Sequence, residues 1–137
     1  MKTPQKVIMV SGAARGMGAA IAKKFYDEGW HVSLGMRKSE TPAWATDTAR
    51  ILIGYYDALD ATTETAWVEK TISHFGHIDA IVANAGIGIW KNVIEISEGE
   101  IDDLLDVHIK SPRRLVSAAW QQLVASGSGR VVMIGSL

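Results

Sequence analysis

The segment Ser11-Gly12-Ala13-Ala14-Arg15-Gly16-Met17-Gly18 places three glycines and an arginine within eight residues. Backbone lacking Cβ atoms can come close to a phosphate, and a helix starting there offers unpaired N–H groups and the positive end of its dipole to an anion. The segment follows the apolar run Val7-Ile8-Met9-Val10 and opens an Ala-rich helical stretch. That is the strand-turn-helix context a pyrophosphate-binding loop needs. Ser11, Gly12, Arg15, Gly16, Met17 and Gly18 are therefore candidate contacts to an anionic nucleotide, with the three glycines expected to clear room for its phosphate. Glycines near a helix start also serve plain turns, and the intervals here, three residues and then one, differ from the common dinucleotide pattern. Residues elsewhere must support the assignment.

They do so by position. Apolar runs of strand length, at residues 7–10, 31–35, 51–55, 80–83 and 130–134, alternate with amphipathic stretches of helix length. This alternation predicts βαβ units and a parallel sheet. Met17, Ile21 and Phe25 step by four along a first helix ending near Gly29, and Val68, Ile72 and Phe75 mark a second ended by Gly76. A last helical stretch, about 97–126, sets Ile101, Leu104, Leu105 and His108 on one face before Pro112 interrupts it. The connection over 39–47, which contains Pro42, has no clear pattern. Ligands of open parallel sheets bind outside the carboxyl ends of the strands. Gly12, Arg37, Asp57, Asn84 and Ser136 each follow a different predicted strand, so the sheet would gather them along one edge.

Bulk properties narrow the class. The 137 residues, 47% hydrophobic and 21% charged, suffice for one core, so a single domain over 1–137 is expected. The absence of cysteine excludes a disulfide scaffold, a thiolate nucleophile and a Cys-based zinc site, and fits a reducing, cytoplasmic compartment. A net charge of −1 gives no general pull toward nucleic acid or an anionic membrane. The polar N-terminus and the short apolar run after it suit neither a signal peptide nor a membrane span. His74 and His77 flank Gly76 at a helix end without a third ligand at sensible spacing, so no metal site is expected. His31 begins a strand and is assigned no chemistry. The five tryptophans are read as packing and pocket walls, with Trp90 best placed to touch a substrate or nicotinamide.

The glycine spacing resembles the loop of the short-chain dehydrogenase/reductase family, Thr-Gly-x-x-x-Gly-x-Gly with serine sometimes first. Asp57 resembles the family aspartate near the adenine ring. Ala83-Asn84-Ala85-Gly86 resembles its Asn-Asn-Ala-Gly motif, and residues 129–136 resemble the strand that delivers its catalytic serine, here Ser136. The resemblance implies a doubly wound, Rossmann-type α/β sheet of order 3-2-1-4-5. It also implies hydride transfer between a nicotinamide and a small-molecule carbonyl or alcohol, in a homo-oligomer, dimer or tetramer. Asn84, Ala85 and Gly86 would lie at the nicotinamide-side ribose. Cofactor choice is set by charge: NAD needs an acid at the end of the second strand, and NADP needs cations for its extra phosphate. Met36 stands where the family's NAD-preferring members carry aspartate, Arg37 and Lys38 come next, and Arg15 precedes the second loop glycine as in NADP-preferring members. NADP(H) is the expected cofactor.

Two departures qualify the resemblance. The family's acid/base pair, Tyr-x-x-x-Lys, occurs nowhere: Tyr26, Tyr55 and Tyr56 are followed four positions later by Trp30, Leu59 and Asp60. The strand at 130–134 would also be a bare apolar edge, so the chain is expected to be the N-terminal part of a longer enzyme, its sheet incomplete at that edge. His108 stands where the family has an asparagine supporting a proton relay. Pro112 lacks the N–H that the carbonyl of residue 108 would meet in a helix, leaving that oxygen open to a water; the alternative is a histidine on a core-facing stripe. Two other function classes remain open: a non-catalytic NADP(H) sensor or regulatory protein, and a different Rossmann-type enzyme such as a methyltransferase, for which Arg15 and Arg37 would have no role.

Overall fold

Runs of apolar residues buried on both faces make strands that pair in parallel, and the computed structural model, which describes residues 5–37 and 41–136, shows five of them. They are β1 (Val7–Ser11), β2 (His31–Met36), β3 (Ile51–Tyr55), β4 (Ala80–Ala83) and β5 (Arg130–Met133), in the order β3-β2-β1-β4-β5. This is the expected doubly wound arrangement. Successive side chains of β1 serve opposite faces. Ile8 and Val10 pack with Val32, Leu34, Val82 and the buried side of α1 (Gly16–Asp27). Met9 joins Ile81 and the inner faces of α2 (Thr63–Phe75) and α4 (Ser111–Ala125), including Trp67, Val68, Leu115 and Leu123.

One packing feature ties β2, β3 and α2 together. Gly35 of β2 and Gly54 of β3 are register partners, and their missing side chains open a slot across two strands. The Trp67 indole fills it: a Cβ on Gly35 would lie 2.4 Å from Cη2, and one on Gly54 2.1 Å from Cδ1. The buried Nε1–H donates to Ser33 Oγ at 2.9 Å, and Ser33 shares a 2.8 Å hydrogen bond with Thr71, so the polar atoms the indole brings inside are satisfied.

The last helical region differs from expectation. α3 (Glu98–Leu105) starts at a capping box in which Ser97 and Glu100 exchange bonds. It then runs through a π turn, Asp106–Lys110, directly into α4. The Ser111 N–H donates to the Asp106 carbonyl five residues back, so the irregularity directly precedes Pro112, which has no N–H to offer the carbonyls of that turn. The predicted stripe is also displaced. Ile101 and Leu105 are 41% and 40% exposed, while the core takes Val107, Leu115, Ala119 and Leu123. A π turn holds extra backbone and rotates the helix before it out of phase with the helix after it.

Other elements end as the residue types require. Gly76, at φ 89°, closes α2 with its N–H on the Ile72 carbonyl. Asp79 accepts from the Val7 N–H (2.8 Å) and the Ser126 hydroxyl (2.6 Å) and lies 3.0 Å from His77 Nε2, which also meets the Gln5 carbonyl at 2.9 Å. His77 thus closes the sheet's amino end. His74 stands edge-on to Phe75, and burial lowers the pKa of His31, with Arg50 adding to the effect. No metal-binding group occurs among the described residues, and no helix there is long and apolar enough to cross a membrane. β5 is an edge strand whose Val131, Val132 and Met133 are exposed, as expected. Residues 41–50 are irregular; Lys38, Ser39 and Leu137 lie outside the described residues.

Gly54→Ala forces a methyl into the Trp67 ring and should cost about 1–3 kcal/mol of stability. Urea unfolding followed by far-ultraviolet circular dichroism would measure it, and an unchanged midpoint would contradict the slot.

Candidate functional site

The loop after β1 is fixed from beneath by Ser11. Its buried hydroxyl accepts from the backbone N–H groups of Asn84 (2.9 Å) and Ala85 (3.0 Å), joining the end of β1 to the end of β4. The Asn84 amide returns the tie, donating from Nδ2 to the carbonyls of Ser11 and Gly12, both at 3.3 Å. Asn84 therefore spends its donor on the loop itself.

The three glycines sit in three different surroundings, and of the three only Gly16 has open space where a Cβ would stand. Gly12 and Gly16 have φ of 64° and 58°, the left-handed region that glycine enters without strain. A Cβ on Gly12 would also press within 2.9 Å of Ala85 Cα, whereas one on Gly16 meets nothing within 4 Å. Gly18 lies beneath the loop: a Cβ there would fall 2.1 Å from the Gly12 carbonyl oxygen and 2.6 Å from Asn84 Nδ2. It lets α1 seat against the loop. Arg15 is the extended N-cap residue; α1 has no side-chain cap and no acid in its first turn, so no capping side chain occupies its leading N–H groups.

A cavity of about 1040 Å³ opens at this edge, lined by Gly12, Arg15, Gly16, Arg37, Asp57, Asn84, Ala85 and Gly86. These predicted residues, from the ends of four strands, are brought together. Ser11 and Gly18 support it from below, and Met17, 59% exposed, is outside the lining. Asp57 Oδ1 accepts from the Leu59 N–H at 2.9 Å, which shapes the turn after β3. Ser136 is exposed and also outside the lining; continuing the Ala83–Met133 register puts it level with Gly86. Trp90 is 98% exposed.

The sequence reading missed part of the wall: Tyr55, Tyr56, Leu59, Ile87 and Val107. Behind Tyr56 runs a buried polar chain. The Ser111 hydroxyl donates to Glu64 Oε1 (2.7 Å), so it accepts from the Tyr56 hydroxyl, whose pKa burial raises. Arg114 Nε also donates to Glu64 Oε1 (2.9 Å), and its Nη2 reaches the Ala58 carbonyl at 3.4 Å. Glu64 Oε2 is buried without a hydrogen-bond partner. The available signal was Glu64 itself, a carboxylate three and four residues before Trp67 and Val68, on the helix side that faces the core.

His108 is exposed rather than core-facing. The π turn directs its ring to the turn after β4, with Nε2 2.8 Å from the Ile87 carbonyl oxygen and 3.3 Å from the Ile87 N. Gly86 makes this approach possible, since a Cβ there would lie 2.9 Å from His108 Cε1.

The chain belongs to the short-chain dehydrogenase family, whose model, described as short chain dehydrogenase, matches residues 6–137. It is 32% identical to a 1,2-dihydroxy-1,2-dihydronaphthalene dehydrogenase of Pseudomonas putida, over 97% of this chain and 53% of that protein. Among solved structures it resembles a short-chain dehydrogenase from Streptomyces avermitilis, with TM-score 0.91 and 31% identity, covering 99% of this chain and 51% of the other. A metagenomic short-chain oxidoreductase in complex with NADP matches with TM-score 0.88 and 29% identity, over 96% of this chain and 62% of that one. The chain thus spans about half the length of the curated relative and of the Streptomyces structure.

Ser11→Ala deprives two N–H groups of one acceptor and should cost about 1–3 kcal/mol. Amide hydrogen exchange at Asn84 and Ala85 should accelerate with it; unchanged exchange would show that the tie is not what holds the loop.

Proposed function

We propose that the cavity binds NADP(H) and that the chain forms the nucleotide-binding part of an NADP(H)-dependent reductase or dehydrogenase acting on a carbonyl or alcohol. The observation carrying this reading is the pair of arginines, Arg15 and Arg37, lining one cavity with the glycine loop, while Met36 rather than an acid ends β2. The cavity's size suits a large ligand, being at the upper end of the usual range of about 300–1,000 Å³ for small-molecule sites. The NADP complex of the metagenomic relative supports the same assignment.

In this reading the backbone of Gly12, Gly16 and the first turn of α1 holds the pyrophosphate, and Arg15 and Arg37 hold the ribose phosphate. Asp57 meets the adenine, with the Tyr56 and Leu59 walls beside it. Asn84 supports the loop through its amide, while Ala85 and Gly86 border the nicotinamide-side ribose. When bound, the nicotinamide would exchange a hydride with the substrate carbon. Ser136 hydrogen-bonds the substrate oxygen, and the main-chain oxygen of His108 receives a relay water. We place the protein in the cytoplasm as a homo-oligomer, consistent with the exposed apolar residues Ile109, Trp120 and Val124 along the π turn and α4.

Arg37→Asp removes a cation from the phosphate and supplies an acid for the unphosphorylated ribose. NADPH affinity, titrated by fluorescence, should fall about 10- to 100-fold, the scale of a charged hydrogen bond, while NADH affinity rises. Unchanged preference would overturn the NADP(H) assignment.

A further inference from the structure

Glu64 is 1% exposed in the first turn of α2, and both donors that reach it, the Ser111 hydroxyl at 2.7 Å and Arg114 Nε at 2.9 Å, fall on Oε1. Oε2 has no hydrogen-bond partner among the described residues. Taking a carboxylate out of water with one oxygen unserved is costly, and a buried ion pair commonly adds no stability over apolar side chains of similar volume. What the pair does instead is hold other groups. The carboxylate can only accept, so the Ser111 proton points at it and the Ser111 oxygen is left to receive the Tyr56 hydroxyl. Arg114, held through Nε, extends Nη2 to the Ala58 carbonyl at 3.4 Å. Tyr56, Ala58 and the adjoining Leu59 all line the cavity.

We propose that Glu64 and Arg114 are positioning residues for the adenine end of the cavity. Together they fix the turn after β3 from behind, through Ser111 on the Tyr56 hydroxyl and through the guanidinium on the Ala58 carbonyl. The adenine role rests on the NADP(H) reading, whereas the hold on the turn stands without a ligand.

The variant Glu64→Met/Arg114→Met replaces the pair without stranding either charge. Its urea midpoint should match or exceed that of the wild type. Amide exchange at Leu59 and Asp60, whose N–H groups close the turn on Asp57, should nevertheless accelerate about tenfold, the scale of one hydrogen bond lost. Glu64→Gln keeps an acceptor oxygen for Ser111 and Arg114, and should hold that exchange within about twofold of wild type. NADPH affinity, titrated by fluorescence, should fall about tenfold in the double variant and recover with glutamine. Inorganic pyrophosphate, which the glycine loop alone would hold, should bind the double variant as it binds the wild type. Unchanged exchange at Leu59 and Asp60 in the double variant, or a double variant that does not fold, would overturn the proposal. Equal losses for NADPH and pyrophosphate would put the effect at the loop and overturn it too. A wild-type chain that binds no NADPH would end the cofactor reading and the adenine role with it, while accelerated exchange in the double variant would still establish the hold on the turn.

Discussion

The junction of β1 with β4 is the constraint on which the site depends. In a sheet of this order the chain leaves β1 toward one face and β4 toward the other, so the two strand ends diverge and a crevice opens between them. Divergence strips both ends of their ladder partners just where the backbone is most buried. Ser11 supplies the missing acceptor to Asn84 and Ala85, and Asn84 supplies a donor to Ser11 and Gly12. The crevice therefore has a rigid floor. Gly12 can turn against Ala85, Gly18 can seat α1 on the Gly12 carbonyl, and the helix end is held at the cavity rather than near it.

Much of the architecture was legible because parallel strands buried on both sides read as unbroken apolar runs. The bounds of β3 and β4 coincide with the predicted runs 51–55 and 80–83, and β1 and β2 extend them by one residue. The ends of α1 and α2 were marked by Gly29 and Gly76, both at positive φ. The π turn was not legible. Helical periodicity over 97–126 cannot register extra backbone in one turn, so the stripe through Ile101, Leu104 and Leu105 was assigned to a core it does not reach. Pro112 signalled an irregularity, and the π turn lies in the five residues Asp106–Lys110 just before it rather than at the proline itself.

The site was legible where strand ends deliver residues and illegible where helices do. Gly12, Arg37, Asp57 and Asn84 follow strands, and the sheet's parallel order alone predicts that they meet. Tyr56, Glu64, Ser111 and Arg114 meet because α2 packs on α4, and that contact leaves no short-range pattern in the chain. An internal carboxylate with one oxygen unpartnered is costly. It persists here with Arg114 and Ser111 on its other oxygen, and the group braces the Tyr56 and Ala58 wall from behind. Gly18 shows the reverse case, a residue marked by its motif that faces the Gly12 carbonyl and the Asn84 amide, so that its missing side chain makes room for α1 against the loop.

The Trp67 slot has an evolutionary consequence. Gly35, Gly54 and the indole lie on three different elements, and each is tolerable only while the other two remain. A lineage that lost the tryptophan would carry a void under two strands, and one that gained a side chain on either strand would have to expel the ring. Passage from this packing to another requires several substitutions at once, or a poorly packed ancestor between them. The three positions are therefore physically coupled, so a change at one alters what the other two can tolerate.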